Sequence, residues 1–423
     1  MLIATFTLLA LEGASWLVFD WMTDVEYDSA AIHQKRSARL KTIEDKLSPD
    51  QSQALYQFHP YTGYTGNPGS RPWKKTPKAF NQYGMLSAVE FPYKKKGNEY
   101  VVAVLGGSVA EAFVHFAEQP LEAISKRLGI TRQIVLVNLT AGGYKQPQQL
   151  FLLQYALLAG FEVDAVLNID GYNDLVMAEY NRQTGTNPLY PSGHHMGLMS
   201  KLGGIPSPQT IMATANYFMR FQTEANFLHK LNSPMLSHSI FTALVGEVWM
   251  KTSARHIDQA EYLLAEAAQK DLGLPFRGPD FVNESPQTIV EAWRTASELL
   301  YATAKSRNLT YIHVLQPNQY VTNSKPLSPR ELEIAFHPNN PWSKIAVEHY
   351  DKLITTGAAM RASGLPFFDM TSIFNNTSES IYVDDCCHFH ALGNKIMAEH
   401  ILPVIVAESS RQDRPLTEIE SDR

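Results

Sequence analysis

Short apolar segments alternate with stretches of helical pattern in two parts of this chain, and this alternation restricts the possible folds more than any other feature. In the first part the segments lie at 100–105, 133–139 and 164–169, each bounded by glycine or polar residues. In the second part they lie at 309–315 and 365–370. Strands that are apolar throughout are typical of a parallel sheet covered on both faces. The pattern therefore predicts an α/β protein with a doubly wound sheet of five parallel strands.

Helices are predicted between and after these strands, at 148–160, 285–307, 342–362 and 391–406. The second of them starts with Ser285 followed by proline, which suits an N-cap residue and the first helical position. Each of these helices is placed to cover one face of the sheet.

The alternation defines a domain at 99–408, interrupted by an irregular, partly helical insertion at 176–284. The polar, glycine- and proline-rich residues 23–98 before it are predicted to pack on the domain as an extension. Residues 409–423 are predicted to be a polar C-terminal tail.

Residues 1–22 form an apolar N-terminal helix of roughly the length that a membrane span needs, about 20 residues, although Glu12 interrupts it. Neither a basic leader nor a small-residue cleavage site, which would mark a secretory signal, accompanies it. We therefore expect a membrane anchor with the main domain outside the cytoplasm, in the periplasm or the extracellular space. A helix that packs on the domain is the alternative.

Charge and cysteine content exclude two other classes of site. The net charge is −6 and the pI is about 6.2, and no basic stripe is present to neutralise phosphates, so nucleic acid is not an expected partner. The two cysteines, Cys386 and Cys387, are adjacent and lack a second ligand pair at zinc spacing, so no metal site is expected. Free thiols are the default, and a strained vicinal disulfide remains open.

Chemically useful residues follow four of the five strands. They are Gly-Gly-Ser at 106–108, a loop containing Gly143, Gly-Tyr-Asn-Asp at 171–174, and Asp-Asp-Cys-Cys-His-Phe-His at 384–390. Because ligands bind at the carboxyl ends of parallel strands, these residues are expected to face one crevice.

The first of these loops fits a nucleophile better than a phosphate. A phosphate loop requires a third glycine or a Gly-Lys pair, but Glu111 occupies the glycine position and no lysine follows. Ser108 would instead lie at a helix N-terminus, where free N–H groups stabilise the oxyanion that forms when serine attacks a carbonyl. A serine nucleophile needs a histidine oriented by a carboxylate. His388 and Asp385, three residues apart, are the predicted pair.

Structural roles remain open for each of these residues. Ser108 can be only a helix cap, Gly143 only a turn residue, Asn173 and Asp174 only a turn pair, and His388 a structural histidine. Asp384 and His390 compete with their neighbours for the catalytic roles, and the pair His194 and His195 is expected in a surface loop.

Four segments in this order resemble the blocks of SGNH-type (GDSL-like) hydrolases, which carry Ser, Gly, Asn and His. Gly-Gly-Ser-Val-Ala resembles the first block, with Gly107 where many members have aspartate. Asn-Leu-Thr-Ala-Gly-Gly resembles the second and Gly-Tyr-Asn-Asp matches the third, which places the family residues on Gly143 and Asn173. Asp385-Cys-Cys-His388 matches the last block. The resemblance covers residues 100–175 and 380–406 and implies a flavodoxin-like sheet with the SGNH hydrolase fold.

The resemblance implies a serine esterase that cleaves an acyl or acetyl ester through an acyl-enzyme, without metal or organic cofactor. Ser108 would be the nucleophile, His388 the base and Asp385 its orienting carboxylate. The N–H groups of Ser108 and Gly143 and the amide of Asn173 would form the oxyanion hole. The expected partner is an ester-bearing small molecule or glycan, with its binding residues unknown. An O-acyltransferase acting on a cell-surface glycan is one alternative, and a catalytically silent binding protein with misaligned motif residues is another.

Overall fold

The structure is a computed structural model that describes residues 2–23, 27–47, 55–71, 79–87, 89–198, 208–233, 236–271, 286–412 and 416. The strands are β1 (Tyr56–His59), β2 (Gly63–Gly66), β3 (Glu99–Gly106), β4 (Gln133–Thr140), β5 (Ala165–Asp170), β6 (Thr310–Leu315) and β7 (Phe367–Asp369). The helices are α1 (Leu2–Thr23), α2 (Ser29–Leu47), α3 (Ser108–Arg127), α4 (Gln148–Leu158), α5 (Tyr172–Gln183), α6 (Gly193–Leu198), α7 (Pro208–Leu231), α8 (Ile240–Asp271), α9 (Pro286–Ser306), α10 (Pro329–Ile334), α11 (Pro341–Ala362) and α12 (Ala391–Arg411). The predicted cap Ser285 and most of the predicted tail lie outside the described residues.

The chain divides into two compact units. One contains residues 1–54 and 200–273, and the other contains residues 55–199 and 274–423. These boundaries differ from the predicted ones, because the insertion and the N-terminal extension each contribute to both units. The sequence alternation located the sheet but carried no signal for which helical segments pack with one another.

The first unit is built from α1, α2, α7 and α8, with apolar clusters between them such as Ile43, Phe221 and Leu228. Glu12, which interrupts the apolar N-terminal stretch, accepts hydrogen bonds from the hydroxyl of Ser239 and, at 2.9 Å, from the backbone N–H of Ile240. A carboxylate at this position satisfies free N–H groups at the start of α8. Among the described residues, none of the helices combines the length and apolar character that a membrane span requires.

The second unit contains a five-stranded parallel sheet in the order β4-β3-β5-β6-β7. Central β3 pairs with β4 on one side and with β5 on the other, so that Val102 lies opposite both Leu136 and Ala165. The prediction of an α/β protein with five parallel strands is confirmed, and the order is compatible with a doubly wound fold.

Both faces of this sheet are covered. Every residue of β3, β5 and β6 is buried, although successive side chains of a strand point to opposite faces. Helix α3 packs with α12, whereas α9 packs with α4, α5 and α11. The strand order reverses between β3 and β5, so the loops after these two strands diverge and leave a crevice at the carboxyl edge.

The hairpin of β1 and β2 supports the loop that follows β4. The hydroxyl of Tyr64 donates to the carbonyl of Gly142 at 2.8 Å, and the hydroxyl of Tyr144 donates to the carbonyl of Tyr64 at 2.6 Å. These reciprocal bonds fix the loop at 141–144 against the hairpin, at the same edge of the sheet as the crevice.

Candidate active site

Ser108 is the first residue of α3, directly after β3 ends. The N-cap position belongs to Gly107, which has no side chain to cap the helix. The hydroxyl of Ser108 therefore does not act as a helix cap, and it is available for another partner.

That partner is His388. The Nε2 atom of His388 lies 2.6 Å from Ser108 Oγ, and its Nδ1 atom lies 2.6 Å from Asp384 Oδ2. When Nδ1–H donates to the carboxylate, Nε2 is free to accept the serine proton, which is the tautomer that a general base requires. The three side chains are therefore aligned in one series of contacts.

The carboxylate in this chain of contacts is Asp384, so the prediction of Asp385 is wrong. Asp384 Oδ1 accepts the backbone N–H groups of Cys386, Cys387 and His388 at 3.1–3.2 Å. This turn folds the Asp384 side chain beneath the imidazole. Asp385 instead accepts a hydrogen bond from Asn340 Nδ2 at 2.9 Å. Sequence spacing does not distinguish the two, because the choice depends on the conformation of the turn.

His390, the other competitor, caps the last helix. Its Nδ1 atom accepts the backbone N–H of Leu392 at 3.1 Å, and its Nε2 atom contacts the carbonyl of Ser380. His388 is therefore the histidine that reaches the serine.

The three predicted oxyanion residues, Ser108, Gly143 and Asn173, line one cavity with His388. Within the described part of the chain, the backbone N–H groups of Ser108 and Gly143 make no hydrogen bond. Asn173 Nδ2 donates one N–H to the carbonyl of Tyr144 at 3.1 Å, which leaves its second N–H for an oxyanion. Asp174 accepts the N–H groups of Gln146 and Gly171 at 2.6 and 3.0 Å. It thereby ties the loop after β4 to the loop after β5.

Close packing accounts for glycine at position 107. A Cβ atom built on Gly107 would lie 2.2 Å from Asn173 Nδ2 and 3.1 Å from the carbonyl oxygen of Tyr144. Any larger residue would displace the amide from this position. The asparagine amide that fills this space therefore accounts for the lack of a side chain at position 107.

Position 143 also requires glycine, because its backbone conformation and a neighbouring side chain leave no room for a Cβ atom. Its φ is +74°, and a Cβ atom there would lie 2.2 Å from His195 Cε1. The His195 ring stacks on Tyr64, with 5.4 Å between ring centroids. Burial, followed by the charge of His194, lowers the pKa of His195 to about 3. His194 and His195 lie in α6 rather than in the expected surface loop. His195 packs beside Gly143.

The cavity has a volume of about 590 Å³, within the usual range for a small-molecule site. Sequence reasoning missed several residues of its wall, among them Tyr56, Glu111 and His195. Glu111 could have been predicted from the sequence, because it follows Ser108 by three residues on α3. Side chains three residues apart on a helix lie on the same face. Tyr56 belongs to the distant hairpin, so nothing in its local sequence connects it to Ser108.

The electrostatics favour a charged Asp384–His388 pair. Burial opposes a charge on His388, but its interactions with Cys386, Asp384 and Glu111 outweigh burial and raise the pKa of His388 to about 9. Burial also opposes a charge on Asp384, but the hydrogen bond and charge of His388 and the backbone N–H groups lower its pKa. The site thus stabilises the imidazolium that forms when His388 takes a proton.

One group of side chains has metal-like spacing. The donor atoms of Cys386, Cys387 and His388 lie within 4.8 Å of one another, and both cysteines are free thiols. However, both nitrogens of His388 already have partners, Asp384 and Ser108. The residues present therefore do not fit a metal ion while the contacts with Ser108 and Asp384 are intact.

No protein-family model matches this chain, and a search of the curated proteins finds no match.

Proposed function

We propose that this chain is a serine esterase of the SGNH type. The observation that carries the proposal is the chain of two 2.6 Å contacts from Asp384 through His388 to Ser108, at the wall of a cavity. Its place at the point where the strand order reverses supports the same conclusion, since ligands of doubly wound sheets bind there.

The chemistry follows from these positions. Ser108 Oγ attacks the ester carbonyl while His388 Nε2 takes the serine proton, and the alcohol leaves with that proton, which forms an acyl-enzyme. Water then attacks the acyl-enzyme and gives a proton to His388. His388 returns this proton to Ser108 Oγ as the bond to the acyl group breaks and the carboxylic acid is released. The N–H groups of Ser108 and Gly143 and the amide of Asn173 stabilise the oxyanion in both steps.

The first test is hydrolysis of p-nitrophenyl acetate and of longer p-nitrophenyl esters by the purified chain. Ser108→Ala is expected to lower kcat by about 10⁴-fold or more, because the hydroxyl is the atom that forms the covalent bond. Ser125→Ala, on the same helix but outside the cavity, is the matched control and is expected to retain full activity. Equal rates for the wild-type chain and Ser108→Ala would contradict the proposal.

Labelling with a fluorophosphonate provides an independent readout. We expect a single phosphonyl adduct on the peptide that contains Ser108, and none in Ser108→Ala. An adduct on another serine would assign the nucleophile elsewhere.

A further inference from the structure

Glu111 is a buried carboxyl group in the wall of the cavity that the hydrolytic steps do not use. The residue is 3% exposed, and its Oε2 atom has no hydrogen-bond partner among the described residues. Glu111 follows Ser108 by three positions on α3, so the two side chains lie on the same face of the helix. The unpartnered oxygen is therefore near the place where an ester would react.

The surroundings of Glu111 contain little positive charge. Among the described residues that line the cavity, none is a lysine or an arginine. Burial keeps His195 neutral, because its pKa is lowered to about 3. His388, whose pKa is raised, already has Asp384 as its counter-charge. The described residues thus supply Glu111 with no hydrogen-bonded cation.

Three aromatic rings form part of the remaining wall. Tyr56, Phe116 and Phe389 line the same cavity as Glu111. Aromatic faces attract organic cations through their quadrupole, and a carboxylate supplies the full counter-charge. A carboxyl group and aromatic rings in the wall of one cavity are a combination of groups that can recognise an alkylammonium.

A buried carboxyl group without a partner is costly to the fold when it ionises. Burial accordingly raises the pKa of Glu111 to about 8, and the charge of His388 opposes this only in part. A cationic ligand that enters the cavity would stabilise the ionised form and recover the lost interaction.

We propose that the cavity binds the organic ammonium group of a cationic ester, with Glu111 as its counter-charge. The ester part of this inference rests on the proposed function, whereas recognition of the cation by Glu111 does not depend on turnover.

Binding is tested by calorimetry with choline and with its uncharged isostere 3,3-dimethylbutan-1-ol. The wild-type chain is expected to bind choline about tenfold more tightly or better, since the cation gains both an ion pair and ring contacts. Glu111→Gln keeps the shape of the side chain but removes the charge, so the preference should disappear. Equal affinity of the wild-type chain for the two probes, a preference that survives Glu111→Gln, or no saturable binding of choline overturns the inference.

Two further variants separate charge from folding. Glu111→Asp keeps the charge on a shorter side chain and is expected to retain part of the preference for choline. Glu122→Gln replaces an exposed glutamate of the same helix that pairs with Lys126 at 2.9 Å, and it should leave the preference intact. Loss of the preference in Glu122→Gln, or in Glu111→Asp to the same extent as in Glu111→Gln, would assign the effect to structure rather than to charge.

Turnover distinguishes failure of this inference from failure of the proposed function. The ratio of kcat/KM for acetylcholine to that for 3,3-dimethylbutyl acetate should be about ten or more in the wild-type chain and near one in Glu111→Gln. Equal turnover of both esters overturns the inference and leaves the esterase intact. Glu111-dependent choline binding without turnover of any ester supports the inference and contradicts the esterase.

The preference for choline should increase as the pH rises from 6 to 9, because Glu111 ionises in this interval. The titratable groups that line the cavity with Glu111 or interact with its charge come from the hairpin, the loops after β4 and β7, and α6: Tyr56, Tyr64, Tyr144, Asp384, Cys386, His388, His390 and His195. Deprotonation of His388 removes a positive charge from the cavity in the wild-type chain and in Glu111→Gln alike, so only the difference between the two proteins is assigned to Glu111. A preference that stays constant in the wild-type chain contradicts the role of Glu111.

Discussion

The molecule contains a second hydrogen-bonded set of serine, histidine and aspartate. The two sets have the same composition but different surroundings. In the sheet core, Ser297 Oγ lies 2.7 Å from His313 Nδ1, and His313 Nε2 lies 2.7 Å from Asp170 Oδ1. Ser297 and His313 are 0% exposed and Asp170 is 2% exposed. The cavity wall contains Ser108, His388 and Asp384 but none of the core residues. We call these sets the core triad and the cavity triad.

The comparison shows what makes such a triad reactive. Ser108 begins a helix and has free N–H groups beside it, whereas Ser297 lies inside α9, where backbone N–H groups are used within the helix. Asp170 also accepts hydrogen bonds from Trp293 and Asn168 at 2.9 and 2.7 Å. The core triad thus links α9 to the sheet three residues before Asn173, and it supports the site rather than performing chemistry.

The largest effect is expected from replacing the two histidines. His388→Ala should lower kcat by about 10⁴-fold or more, because the serine loses its base. His313→Ala should destabilise the fold by about 3–5 kcal/mol, because it leaves Asp170 buried without its partner. Ester hydrolysis and urea unfolding of both variants measure the two effects. Wild-type stability in His313→Ala would show that the core triad is not structural.

Much of the fold could be predicted because its signals are local. The predicted strand 100–105 is β3 at Glu99–Gly106, and the predicted helix 342–362 is α11 at Pro341–Ala362. Ser108, Gly143, Asn173 and His388 could be placed at one edge for the same reason, since each follows a recognisable strand.

The remaining features depend on contacts that sequence spacing does not encode. Asp384 rather than Asp385 contacts His388, because the Asp384 carboxylate accepts the backbone N–H groups of the turn that follows it. The core triad joins residues from β5, β6 and α9, whose side chains read individually as ordinary core or helix positions. The grouping of α1 and α2 with α7 and α8 likewise follows from tertiary packing alone.

The second prediction compares the carboxylates. Asp384→Asn should lower kcat by about 10²–10⁴-fold, because the amide favours the wrong tautomer of His388. Asp385→Asn, one residue away and bonded to Asn340, is the matched control and should change kcat by less than about threefold. Asp170→Asn should act on stability instead. A larger loss of activity in Asp385→Asn than in Asp384→Asn would restore the assignment predicted from the sequence.

A smaller effect is expected from replacing two asparagines, one that lines the cavity and one that supports the core triad. Asn173→Ala removes an oxyanion donor and should lower kcat by about 10²–10³-fold. Asn168→Ala removes a donor to Asp170 and should cost about 1–3 kcal/mol of stability with kcat retained at a temperature where the variant is folded. Comparable kcat losses in both would remove the distinction between reactive and supporting positions.

The smallest effect, a graded one, concerns pH. Because the pKa of His388 is raised to about 9, kcat/KM should rise about tenfold per pH unit between 7 and 9 and then level off. The charged His388 stabilises the fold below its unfolded pKa of about 6.5, and this contribution is lost as the pH rises through about 9. Activity and melting temperature should therefore move in opposite directions.

The core triad responds at the other end of the pH scale. Burial opposes a charge on Asp170, but His313, Trp293 and Asn168 outweigh it and lower its pKa. Its contribution to stability is present above the unfolded pKa of about 3.9 and is lost as the pH falls through the still lower folded value. Glu111→Gln should shift the midpoint of the kcat/KM profile to lower pH, because Glu111 is one of the groups that raise the pKa of His388. A midpoint near pH 6.5 in the wild-type kcat/KM profile would mean that the cavity does not raise the pKa of His388.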